Sequence, residues 1–238
     1  MWNILRLPLP SIVSGLAGLS LIAVMCAASI GHAQGLGGPE AAGERVQIAQ
    51  AAAPKPDDTF DSVPLDKTDM VLGNADAPVT IVEYASLTCA HCAQFHGEVL
   101  PKIKRAYIDT GKAKLVYRDF PLDRLALSGS MLARCARPQR YFGFIDLLFK
   151  DQMRWSRARN PMQALGRLAR LGGMSQAKFD ACLKDEAVQR IVLEQRLAGG
   201  RRYKINSTPT LIVNGRKYSG GLTFDQIRAV LEPMLSTN

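Results

Sequence analysis

EYASLTCAHCAQFH, residues 83–96, sets two cysteines two residues apart, with a histidine between them and an acid six positions before the first. The run entering it, VTIVEYA (79–85), is mostly apolar and β-branched, as in a strand covered on both faces. Thr88 then stands where a helix N-cap belongs. Cys92, Phe95 or His96, Val99, Ile103 and Tyr107 recur beyond it at helical spacing. Pro101 falls inside this run, where its ring would meet the carbonyl of Gly97, so a kink is expected rather than a stop. AKLVYRDF (113–120) supplies a second strand, which makes a βαβ unit with its CxxC at the helix start.

The C-terminal end supplies a matching half. TPTLIV (208–213) reads as a strand, Asn214-Gly215 as a two-residue hairpin turn, and RKYS as the returning strand. Thr223 and Gln226 form a capping box for a last helix carrying Ile227, Val230, Leu231 and Leu235. Residues 124–203 between the halves are helical in pattern throughout. YFGFIDLLF is densely apolar, Asn160-Pro161 opens a helix that Gly172-Gly173 ends, Ser175 caps a short one, and Val188, Ile191 and Val192 lie on a longer one. The expected class is α/β, a βαβ…ββα framework (63–123 and 204–238) interrupted by an all-helical insertion.

Residues 1–33 read as an export signal. Arg6 is their only charge, an apolar run spans Ile12 to Ile30, and Gly31-His32-Ala33 has the small-x-small form of a cleavage site. A retained anchor is the competing reading. Met25 is too bulky before Cys26 for a lipid-attachment signal. Cleavage after Ala33 removes one of 30 basic residues and none of 21 acidic ones, leaving 29 − 21 = +8 from a formal +9. A basic chain suggests nucleic acid, but an exported protein rarely meets it. The arginines of RWSRARN, RLARL and GGRRYK are spaced as solvated helix faces. Residues 34–62, rich in Ala, Gly, Pro and Gln, read as a flexible leader.

Four cysteines remain after that cleavage: Cys89, Cys92, Cys135 and Cys182. In an oxidising compartment an even set predicts disulfides, with three connectivities open. Structural zinc needs about four ligands, and neither Cys135 nor Cys182 is half of a second CxxC. A bond across the two residues between Cys89 and Cys92 constrains almost no chain entropy, whereas closing the long Cys135–Cys182 loop is worth roughly 4 kcal/mol. A stapling bond is therefore expected for Cys135 and Cys182, and chemistry for Cys89 and Cys92. At a helix N-terminus the unpaired amides and the helix dipole favour a Cys89 thiolate, and His91 on the first turn can add a hydrogen bond or a positive charge. Each unit of lowered pKa is about 1.4 kcal/mol toward thiolate, which stabilises the reduced pair and makes the disulfide a stronger oxidant. Glu83, in mid-strand, would lie buried beneath the helix start and could exchange a proton with Cys92; the competing reading turns it to solvent. Pro209 after Thr208 is permissible as the start of an edge strand.

VEYASLTCAHC, Pro101, the helical insertion and STPT before the last hairpin together resemble the DsbA-like branch of the thioredoxin superfamily, over about residues 63–236. The resemblance implies a thioredoxin fold with an inserted helical domain. It makes Cys89 the attacking and attacked sulfur, Cys92 the resolving one, His91 the thiolate stabiliser and Glu83 the buried acid. Pro209 becomes a cis-proline whose neighbouring backbone, with Thr208, pairs with an extended client. Ala90 departs from the proline that the best-known members carry there. The implied activity is that of an exported, periplasmic, monomeric dithiol oxidase with no cofactor beyond its cysteine pair. It would act on reduced, unfolded clients and be re-oxidised by a quinone-linked membrane protein. A disulfide isomerase or reductase is the nearest alternative, and a chaperone-like peptide-binding module is one of a different class. The isomerases of the superfamily usually carry an N-terminal dimerisation domain, for which residues 34–62 are too short.

Overall fold

The computed structural model describes residues 51–236. The expected signal segment and residues 34–50 of the expected leader lie outside the described residues.

The elements follow the chain as β1 (Asp58–Thr59), β2 (Met70–Leu72), β3 (Val79–Ala85), α1 (Ala90–Gln94), α2 (Leu100–Ile103) and β4 (Ala113–Asp119). Then come α3 (Arg124–Cys135), α4 (Tyr141–Lys150), α5 (Gln152–Ser156), α6 (Pro161–Leu171), α7 (Gln176–Cys182) and α8 (Glu186–Arg202). β5 (Thr210–Val213), β6 (Arg216–Ser219) and α9 (Phe224–Leu235) close the chain. The strands form one sheet in the order β1-β6-β5-β3-β4-β2. β3 and β4 are parallel, as the helical crossover between them allows, and every other pair is antiparallel.

Side chains on β3 alternate between two buried layers, which is why the strand reads as a nearly continuous apolar run. Val79 and Ile81 face a core with Phe95, Leu100, Ile103, Ile227 and Leu231. Val82 and Tyr84 face the other way, onto Tyr203 and Ile205. The insertion, α3 to α8, has its own core around Leu132, Ile145, Leu148 and Trp155, continuous with Leu87 and Cys92 at the mouth of the βαβ unit. A Cys135–Cys182 disulfide joins the ends of α3 and α7, with Cα atoms 6.1 Å apart.

Local signals for helix ends are realised as expected. Asn160, Ser175 and Thr223 each accept a backbone N–H in the first turn of α6, α7 and α9, and Gln226 completes the box on Thr223. Two expectations need correction. Residues 57–60 of the leader are an edge of the sheet: Asp57 and Phe60 donate to the carbonyls of Lys217 and Gly215, both at 2.8 Å. A two-residue strand carries no periodicity to read, and its pairing is supplied by β6. Thr88 does not cap α1; its hydroxyl donates to Asp123, 2.7 Å away, and Cys89 occupies the N-cap position with an extended backbone. At Pro101 the helix widens. Leu100 bonds back five residues to the Phe95 carbonyl, so Phe95–Val99 is a π turn just before the missing proline N–H, and Lys104–Ile108 forms a second π turn after it.

Candidate active site

Cys89 follows directly on the β3–α1 loop, whose amide-to-carbonyl turn from Cys89 to Ser86 measures 3.0 Å. Because Thr88 is engaged with Asp123, no side chain caps the first turn of α1. The amides of His91 and Cys92 are left for the N-cap residue itself, the position from which a capping side chain accepts such bonds. That side chain is the Cys89 thiol. From the other side β5 brings up the cis Thr208–Pro209 bond, and the Cys89 sulfur donates to the Thr208 carbonyl at 3.2 Å.

The two sulfurs, described here as a dithiol, are held in opposite states. The Cys92 thiol bonded to Cys89 lowers the Cys89 pKa to about 5 against the cost of burial, helped by the Thr208 hydroxyl and by the backbone N–H groups of Cys92 and His91. The Thr208 hydroxyl is buried near that sulfur and makes no hydrogen bond of its own among the described residues. Cys92 is fully buried, and that burial drives its pKa far up, reinforced by its bond to Cys89 and by the negative charge of Glu83. One sulfur is half-exposed and easily ionised; the other is sealed and held neutral. For His91 the expected imidazole contact gives way to a backbone one. Its exposed ring makes no hydrogen bond to the sulfur and lies along a groove with Gln94, Phe95 and Leu222, while its amide acts on Cys89.

Glu83 does not turn to solvent. It shares the α1 face of β3 with Ile81 and is completely buried. Its carboxylate receives His96 Nε2 at 3.0 and 3.1 Å. The His96 ring lies 4.2 Å, centroid to centroid, from Phe149, with Tyr117 edge-on at 5.9 Å. Burial pulls the imidazole down, but Glu83 on one side and Asp146 on the other prevail and raise its pKa to about 9. A buried carboxylate is costly without a partner, and this imidazolium is the partner.

Cys89, Cys92, Glu83, Thr208 and Pro209 thus converge at the C-terminal end of β3, while Cys135 and Cys182 stand apart in the insertion. His96, Asp146 and Gln152 were not anticipated. His96 carried one legible sign, its place four residues after Cys92 and so on the same helix face. Asp146 and Gln152 carried none, because the insertion alone brings them here.

A family model described as thioredoxin matches residues 65–233. The chain is 31% identical to α-DsbA1 of Wolbachia pipientis, whose crystal structure superposes with a TM-score of 0.69 over 74% of this chain and 94% of that one. BdbD of Bacillus subtilis in its oxidised form is 24% identical, with a TM-score of 0.62 over 75% and 99% of the two chains, a likeness of fold. Among curated proteins, disulfide bond formation protein D of Bacillus subtilis is 27% identical over 75% of this chain and 82% of its own length. A Rickettsia bellii protein, provisionally named a protein-disulfide oxidoreductase, is 36% identical over 63% of this chain and 59% of its own. The chain therefore spans less than two thirds of that relative's length.

Proposed function

The chain belongs to the thioredoxin family, in its DsbA-like branch, and on that premise we propose that it is an exported, periplasmic protein-disulfide oxidoreductase that donates a Cys89–Cys92 disulfide to folding clients. The observation that carries this reading is the opposed state of the two sulfurs, Cys89 half-exposed with its pKa at about 5 and Cys92 buried with its pKa raised.

A client thiolate attacks Cys89 of the oxidised pair. The Cys89–Cys92 bond breaks, a client–Cys89 disulfide forms, and Cys92 leaves as a thiolate that takes up a proton. A second client thiolate then attacks the client sulfur, and Cys89 departs as the stable thiolate. The client has lost two electrons and the cysteine pair has gained them. Backbone beside the cis Pro209 and Thr208 pairs with the extended client, and the cysteine pair is the only cofactor. Re-oxidation falls to a quinone-linked membrane protein, and the working unit is a monomer.

Equilibration of the pair against glutathione tests the direction of electron flow. The expected potential is well above the roughly −270 mV of thioredoxin, toward the roughly −120 mV of the strongest oxidants of this kind. A thioredoxin-like value would instead make the protein a reductase. Repair of scrambled disulfides faster than oxidation of reduced clients, by a sedimenting dimer, would make it an isomerase. Client binding and aggregation suppression retained in full by Cys89→Ala would make it a binding module.

A further inference from the structure

Cys92 presents a problem of proton supply. Its sulfur is inaccessible, yet it must gain a proton each time it leaves Cys89 and lose one each time it attacks again. Glu83 is equally sealed. The only group in hydrogen-bond contact with the Glu83 side chain among the described residues is His96 Nε2. The opposite nitrogen, Nδ1, has no hydrogen-bond partner although it is buried, and it faces Asp146 Oδ1 at 3.8 Å. The Asp146 side chain is 68% exposed. Both residues line a largely apolar cleft of about 540 Å³, together with Ala93, Leu100, Phe142 and Phe149.

We propose that Glu83, His96 and Asp146 form a proton store for Cys92, in which Asp146 keeps Nδ1 protonated so that the Nε2 proton is the mobile one. The inference rests on the oxidoreductase reading above. When Cys92 leaves as a thiolate, the Nε2 proton passes to Glu83 and from Glu83 to the sulfur, so that Cys92 becomes a thiol and His96 transiently a neutral ring protonated at Nδ1, which regains a proton from solvent at neutral pH because the ring's pKa in the dithiol is about 9. When Cys92 next attacks, a His96 ring that is neutral at Nε2 takes the proton back by the same route and is again an imidazolium. Charge is conserved in each step, and no proton crosses the apolar core alone. An acid that orients the distal nitrogen of a histidine, leaving the proximal one to transfer, is the logic of a catalytic triad. His96 and Asp146 act through Glu83 and are positioning residues.

The groups around the ring fit this role. Glu83 and Asp146 are the two carboxylates, and Lys104 and Lys150 border the same cleft. The Tyr117 hydroxyl, held neutral by burial, and Cys92 complete the titratable set. With its pKa at about 9, His96 keeps the store loaded at neutral pH.

The test is single-turnover reduction of the oxidised protein by a small thiol, with rates expressed per thiolate from pH 6 to 10. The wild-type rate should stay level to about pH 9 and fall above it, as the store empties. His96→Gln keeps an N–H for Glu83 but has no proton to give; it should be slower by about a hundredfold and lose the break. Asp146→Asn, at an exposed position that tolerates change, should slow the step several-fold and move the break to lower pH. An Asp146→Asn profile that superimposes on wild type overturns the proposal even if His96→Gln fails to fold. Slow Glu83→Gln with normal His96→Gln also overturns it while sparing the role of Glu83. Normal rates in all three variants remove that role as well, although the glutathione equilibrium could still mark an oxidase.

Discussion

The side-chain amide of Gln152, buried on α5 of the insertion, donates to the carbonyl of Cys89 and to that of Leu87, each at 2.9 Å. The inserted domain thus holds the backbone of the redox loop. Cys89 O also receives the Ala93 amide at 3.1 Å, whereas Leu87 O is left to Gln152. Gln152→Leu preserves volume and strands the Leu87 carbonyl. Its cost should be about 1–3 kcal/mol, read as a lower urea midpoint at unchanged slope. Gln152→Glu, which supplies acceptors where donors are needed, should cost at least as much. A Leu variant as stable as wild type would show that the insertion does not brace the loop.

The ionisation of Cys89 can be followed by thiolate absorbance near 240 nm. The bonded Cys92 thiol, the Thr208 hydroxyl and the first-turn amides of α1 predict a midpoint near pH 5, with Cys92 silent in the same range. The sign of the linked stability follows. A folded pKa below the unfolded value adds stability to the reduced protein that is complete above about pH 8.5 and is lost as pH falls through about 5. Reduced minus oxidised stability, measured at several pH values, should narrow across that window. Cys89→Ser should abolish both the absorbance step and the narrowing.

Much of this fold was legible because its signals are local or redundant. β3 and β5 are covered on both faces, so their residues announce a strand wherever the partners lie. The caps at Asn160, Ser175 and Thr223 are bonds within four residues. What escaped depends on partners distant in sequence. β1 and β2 are two and three residues long and exist through β6 and β4. Reading the positive charge as solvated faces missed Arg118 and Arg134, which are buried against Asp69 and Asp119 at 2.7 and 2.6 Å, with Gln195 bridging toward both acids. Thr88 had the chemistry of a cap, but Asp123, 35 residues on, competed for its hydroxyl. That competition left the helix amides to a sulfur, so the failed local signal coincides with the candidate site.

The Cys135–Cys182 bond closes a loop across α3 to α7 and touches none of the site residues. By the chain-entropy argument its removal should cost roughly 4 kcal/mol. The double variant Cys135→Ser/Cys182→Ser should melt at a markedly lower temperature. Its Cys89 titration should remain near that of the wild type, because no group acting on that sulfur lies in the α3–α7 junction. A shifted titration would mean that the staple positions the redox loop as well as stabilising the chain.

Two adjacent glycines near the end of α8 should respond to alanine in opposite directions. A methyl on Gly199 would come within 2.6 Å of the Tyr84 ring. That ring cannot retreat: it is fully buried on β3, and its hydroxyl accepts from Arg118 at 2.9 Å, itself paired with Asp69. Gly200 is exposed, and a methyl there would meet only the Ile205 carbonyl at 3.8 Å. Alanine is favoured over glycine in a helix by about 1 kcal/mol at either position. At Gly200 that preference acts unopposed and should raise the melting temperature. At Gly199 the overlap with a pinned aromatic, typically about 1–3 kcal/mol for an overpacked core, should outweigh it and lower the melting temperature. Thermal unfolding of the two single variants checks the pair. Stabilisation by both would mean that Tyr84 can shift and that its bond to Arg118 does not pin the ring against α8.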